Sequence, residues 1–256
     1  MITALQLADG VLALLWALLR TGGVVMMAPL LGAIYIPNRI RILLAMVLAF
    51  ALLPAAGPAP DLEPVSPAGV VAIARELAIG ITIGFVLKLA TEAALLAGQL
   101  VSTGMGLSFA TVVDPQNGGM PLLGRFYVIV ASLLLLATNA HLSLIALVAQ
   151  SYAVAPVGAA TLAAPEARLV VDFAGLMFAG ALQLSLPAVV AILMVNVAFG
   201  VISRAAPTLN LFAVGFPITI LLGLVILVVT LRTQGPVWDE LLGAAFGLIG
   251  RLFGGG

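Results

Sequence analysis

One run of residues concentrates the side chains that could do chemistry in this chain. Glu76, Gly80, Gly84, Lys88 and Glu92 follow one another at intervals of four, which on a helix forms a single, slowly drifting stripe. Lys88 and Glu92 can pair across one turn, Glu76 has Arg75 beside it, and Gly80 and Gly84 admit a second backbone at close range. A charge left alone in mid-bilayer costs about 2.5–3.5 kcal/mol on insertion scales. The stripe therefore reads as a face turned to partner protein or to a water-filled lumen; charges gathered at a helix end are the plainer alternative. Two further stripes carry small or polar residues, Ala94–Gly98–Ser102–Gly106 and Asn196–Gly200–Arg204. Both read as faces for close helix packing, with Asn196 needing a hydrogen bond from a neighbouring helix and a transport site as the alternative for the second stripe.

Catalysis finds no candidate machinery. There is no HExxH, GxSxG or phosphate-loop motif and no pair of membrane aspartates. With no cysteine and a single histidine, neither a thiolate nucleophile nor a cysteine or histidine metal cluster can be assembled. No catalytic, cofactor-binding or metal-binding residue is expected. His141, following Thr138 and Asn139 in an apolar stretch, could relay protons, but no acid lies within a turn of it. Packing or a backbone hydrogen bond is the simpler use. Ten basic residues balance ten acidic ones, so no basic field for nucleic acid exists.

The elements that must position these residues follow from composition. Of 256 residues 63% are hydrophobic and 8% charged, with a mean hydropathy of +1.29. A soluble domain is about 45–50% apolar and about 25% charged, so this chain cannot coat a water-facing fold. At about 20 apolar residues per span it reads as an all-α, polytopic membrane protein with about six transmembrane helices. The first apolar run has no Lys or Arg ahead of it, contains Asp9, and extends to Ile36 with Arg20 alone inside; it reads as a retained helix near 10–32. Helix two follows Arg39 and Arg41 and is expected to end at Pro54. Five prolines with Asp61 and Glu63 make 54–67 a loop. Helix three starts near Pro67 and runs toward Gly106, too long for one straight span. One helix and a Pro156/Gly158 turn are expected in 126–165, helices at 169–204 and 210–232, and a short amphipathic tail after 233. Arg39 and Arg41 against Asp61 and Glu63 turn the first hairpin inside, and Arg232 and Arg251 favour a cytoplasmic C-terminus.

The segment 107–124, LSFATVVDPQNGGMPLLG, interrupts this pattern. Phe109, Val112, Val113, Met120 and Leu122 make it too apolar for a surface loop, while Pro115, Gly118, Gly119 and Pro121 prevent a continuous helix. Irregular backbone at membrane depth is tolerated where protein or a water cavity surrounds it. A re-entrant or pore-occluding segment fits, with an ordinary short loop as the alternative.

Taken in order, Arg20, Pro29, Ile36-Pro37 and Arg39; Arg75-Glu76, Gly80 and Gly84; Gly98, Gly106-Leu107-Ser108-Phe109-Ala110 and Asp114-Pro115; Asn139-Ala140-His141; and Asn196, Gly200, Arg204, Pro207, Asn210 and Gly215-Phe216-Pro217 resemble the FliR family. This is the T-protein component of type III secretion export apparatus. The likeness runs along essentially the whole chain, although Asn139-Ala140-His141 replaces the family's usual Asn-Gly-His. The resemblance implies a non-enzymatic subunit of the flagellar export gate in the bacterial inner membrane, at the flagellar basal body. It would pass unfolded flagellar proteins and use no cofactor. It implies assembly with FliP- and FliQ-like subunits, alongside FlhB- and FlhA-like export components, its helices forming bent hairpins. Residues 1–165 would be a FliP-like region and 166–256 a FliQ-like region with the amphipathic tail. The family's channel plug maps onto 106–124, with Gly106, Phe109, Asp114, Pro115, Asn117, Gly118, Gly119, Met120 and Pro121. The stripe residues Glu76, Gly80, Gly84, Lys88, Glu92, Gly98, Ser102, Asn196, Gly200 and Arg204 become packing or subunit-interface positions. The corresponding subunit of a virulence secretion system shares this architecture. A secondary transporter relaying protons through Lys88, Glu92 and His141 is the rival from another class.

Overall fold

Local chemistry sets most helix boundaries in the computed structural model, which describes residues 4–33, 35–107, 121–158, 164–205 and 215–253. Eight helices lie among them: α1 (Ala4–Met27), α2 (Asn38–Ala56), α3 (Pro67–Gly104), α4 (Leu122–Ala137), α5 (Ala140–Val154), α6 (Ala164–Ala205), α7 (Phe216–Leu231) and α8 (Gly235–Phe253). Ser66 and Pro67 show how α3 starts. The Ser66 hydroxyl accepts the Gly69 N–H at 3.0 Å, and proline takes the first helical position, where its missing N–H costs nothing. At the other end Gly106 adopts φ +76°. The Leu107 and Gly106 N–H groups turn back to the Ser102 and Thr103 carbonyls, both at 3.0 Å. That pair of bonds closes a helix on a left-handed glycine.

Several expected boundaries are corrected. α1 ends at Met27 rather than near 32, and the chain turns through Leu30 at φ +68° before Pro37 opens α2. Pro54 does not end α2: the helix continues to Ala56, and Gly57, at φ +74°, stops it. The single helix expected after 126 is two, α4 and α5, broken at Asn139 with φ +55°. Asparagine tolerates the left-handed region better than other side chains do. The tail is the helix α8, with Pro236 in its first turn and Arg251 in its last.

Among the described residues four helices (α1, α2, α3 and α6) are long and apolar enough to cross a membrane, and counting each broken pair, α4–α5 and α7–α8, as one span raises the number to six. α3 with 38 residues and α6 with 42 run to about 57 and 63 Å at 1.5 Å per residue. Both exceed a hydrocarbon core of about 30 Å.

The chain divides into two compact units, each built from separate stretches. The first comprises 1–89, 135–174 and 242–256. In it α2 lies along α1, where small residues permit close approach: Ala45 and Ala49 are buried, and the Thr21 hydroxyl donates to the Ala45 carbonyl at 3.2 Å. The second comprises 90–134 and 175–241. Here the end of α3 meets the start of α4 at backbone distance. A Cβ on Gly98 would sit 2.5 Å from the Leu123 carbonyl oxygen and 2.7 Å from the Gly124 Cα. Met105 is seated against Gly223 of α7.

Candidate functional site

The first unit holds a buried ion pair at its centre. Arg20, the one basic residue of α1, and Glu76 of α3 meet at 2.8 Å with side chains 0% and 1% exposed. The remaining guanidinium nitrogens are also used: one donates to the Ser151 hydroxyl at 3.0 Å and another to the Ala155 carbonyl at 2.7 Å. The second carboxylate oxygen accepts the Gly158 N–H at 3.1 Å. Tyr152 presents its ring 4.2 Å from the guanidinium carbon and donates its hydroxyl to the Ala17 carbonyl at 3.2 Å. A buried ion pair is tolerated when its geometry is good and its other hydrogen-bonding positions are filled, and here they are. The arrangement ties α1, α3, the end of α5 and the turn at 155–158 into one body. It offers no open position for a substrate.

This cluster corrects two expectations about Glu76. Its partner is Arg20, 56 positions away, and not the adjacent Arg75, because neighbours i and i+1 on a helix point in different directions. It also closes within the chain, where a partner subunit or lumen was expected. Arg20, Ser151 and Tyr152 were missed as site residues. The available signal was Arg20 itself, a cation inside an apolar run that must find an acid.

Gly80 and Gly84 sit on the same face of α3, and the neighbour they admit is α1. A Cβ at Gly80 would run into the Arg20 carbonyl oxygen; one at Gly84 would lie 2.8 Å from both the Ala28 nitrogen and the Val24 oxygen. Gly23 on α1 answers them, 2.8 Å from the Ile81 nitrogen and the Leu77 oxygen by the same measure. Lys88 and Glu92 are half-buried further along α3.

The other expected residues fall in different surroundings. Ser102 is buried, and its hydroxyl has no hydrogen-bond partner among the described residues. On α6, Asn196 donates to the Gly104 carbonyl at 3.1 Å from an exposed position, and Gly200 and Arg204 are exposed, with nothing within 4 Å of a Cβ on Gly200. The Nδ1 of His141 is sequestered without a hydrogen-bond partner among the described residues. Of the expected plug, Gly106 and Pro121 are described: the first closes α3, and the Pro121 carbonyl accepts the Arg125 N–H at 3.1 Å as α4 begins. Phe109, Asp114, Pro115, Asn117, Gly118, Gly119 and Met120 lie outside the described residues. Among the described residues no three His, Asp or Glu side chains gather to hold a metal ion.

Comparison with known proteins adds the family. The model for bacterial export proteins, family 1, matches residues 11–245. The flagellar biosynthetic protein FliR of Escherichia coli (strain K12) is 34% identical over 235 residues, covering 91% of this chain and 90% of its own. FliR of Caulobacter vibrioides is 32% identical over 228 residues, 86% of this chain and 89% of its own. FliR of Bacillus subtilis (strain 168) is 30% identical over 221 residues, 85% of each chain. On a match that runs from the first third of α1 into α8, with relatives aligned along most of both chains, this chain belongs to the bacterial export proteins, family 1.

Proposed function

We propose that the chain is a non-enzymatic structural subunit of the flagellar type III export gate, seated at the bacterial inner membrane in the flagellar basal body. It forms part of the conduit through which unfolded flagellar proteins leave the cytoplasm. The observation that carries this reading is the family match over residues 11–245, with relatives named as flagellar biosynthetic proteins. The physical features agree with it. The charged cluster in the first unit is saturated by its own chain and so acts as a strut, not as a reaction centre. α2 and α6 bury only 17% of their most apolar windows, which leaves long faces for lipid or for FliP- and FliQ-like neighbours. FlhB- and FlhA-like components complete the apparatus in this reading, and energy comes from elsewhere.

Within the gate, 1–165 supplies the FliP-like part and 166–256 the FliQ-like part. The segment 106–121, launched by a left-handed Gly106 and received by Pro121, is the closure element of the channel; Leu122–Gly124, expected within it, open α4 instead, with Leu122 exposed. The exposed Asn196–Gly200–Arg204 face of α6 is a subunit contact. The test is genetic. An in-frame deletion of the gene in its parent bacterium should abolish motility and the release of hook and filament proteins into the medium, and a plasmid copy should restore both. A deletion strain that still swims and secretes would refute the assignment.

A further inference from the structure

A second buried polar cluster, in the other unit, is used by none of the above. Gln234 sits between α7 and α8, 3% exposed, where its backbone carbonyl accepts the Trp238 N–H at 3.1 Å to start α8. Its side-chain amide donates to the hydroxyl of Tyr127 on α4 at 2.9 Å and to the Leu184 carbonyl of α6 at 3.2 Å. Tyr127 is fully buried. The position of Leu184 matters because Pro187 stands inside α6. Proline has no N–H to give the Gln183 carbonyl and its ring presses on that carbonyl, so this turn is the weakest in the helix. The Leu184 carbonyl lies one residue past the deprived Gln183 carbonyl, in the turn the ring weakens, and a donor from another element can steady it there. Ser185 turns its hydroxyl to the Leu182 carbonyl at 3.2 Å in the same turn, and Gln234 supplies the donor from outside. The carbonyl of Leu184 also fixes which end of the amide faces it, since only the NH2 end can donate.

We propose that Gln234 is a clasp that holds two weak points in register, the proline turn of α6 and the α7–α8 bend, with the Tyr127 hydroxyl anchoring its amide. With the clasp closed each bend has one shape; with it open the two loosen together. Because the chain contains no cysteine, paired spin labels test this without background. Phe178→Cys with Met194→Cys brackets Pro187, and Val225→Cys with Glu240→Cys brackets the α7–α8 bend; all four positions are exposed. In the full chain in lipid nanodiscs, each pair should give one narrow distance distribution. Gln234→Met keeps length and bulk without the amide, and should broaden both distributions at least twofold. Adding Pro187→Ala should return the 178–194 pair toward its original width, because residue 187 regains an N–H. Tyr127→Phe removes one bond only and should broaden both pairs by less, so it carries the test if Gln234→Met fails to fold. If either distribution keeps its width in Gln234→Met, or if Tyr127→Phe alone is available and changes neither, the clasp does not exist.

Discussion

Arg20 and Glu76 are worth more to this protein as a pair than either is alone. Removing one partner of a buried ion pair leaves an uncompensated charge and typically costs about 3–5 kcal/mol, whereas replacing both with apolar residues of similar volume can be close to neutral. Glu76→Gln should therefore lower the thermal stability of the purified protein sharply. Arg20→Met combined with Glu76→Met should recover at least half of that loss. A double variant less stable than Glu76→Gln would show that the hydrogen bonds to Ser151, Ala155 and Gly158, not the pairing of charges, govern the site. At this scale the sequence exposed the problem without its solution. Arg20 was visible as a cation in an apolar run, but its acid lies 56 residues away on another helix. Nothing in local spacing chooses Glu76 over Glu92, and the tempting neighbour Arg75 is excluded by helix geometry, not by residue type. Gln234, in a short connection after α7, carried no signal at all, because its meaning comes from Leu184 and Tyr127 on two other helices.

Between elements, packing is governed by where a side chain is absent. α1 and α3 touch through Gly23, Gly80 and Gly84, where backbone atoms leave no room for a Cβ. Gly80→Ala or Gly84→Ala should push the helices apart and destabilise the chain by about 1–3 kcal/mol. Gly22→Ala is the matched control. It lies next to Gly23 on the same helix, but a Cβ there meets nothing within 4 Å, so it should be neutral or slightly stabilising. The measurement is protease resistance of each variant in native membranes; equal resistance of Gly80→Ala and Gly22→Ala would contradict the close-contact account. The ends of α3 were legible in the residue types: Pro67 starts it and the chain closes it at Gly106. Other helix ends were illegible where the stop is conformational. Asn139 breaks α4 from α5 in an otherwise apolar run without glycine or proline at the break. Pro54 looked like a terminator, yet it falls in the last turns of α2, where the helix tolerates it as far as Gly57.

For the whole molecule, hydropathy predicted the number of apolar spans well, because the cost of exposing backbone to lipid leaves helices as the solution. It could not predict how separate stretches of chain gather into each compact unit, since that depends on contacts between distant segments. Deleting 114–120 should leave the chain assembled while cells become permeable to ions or small molecules, measured as conductance or dye uptake. An assembled gate as tight as the parent would return the segment to an ordinary loop. The exposed α6 face makes a complementary prediction. Gly200→Leu should leave the isolated chain as stable as the parent, since a Cβ there meets nothing, yet reduce recovery of the assembly. The central claim, membership of an export gate, is tested most directly by affinity purification of the tagged chain from native membranes at its natural expression level, followed by identification of what comes with it. The account predicts a discrete complex containing FliP- and FliQ-like chains. Recovery of this chain alone, or only with copies of itself, would contradict it.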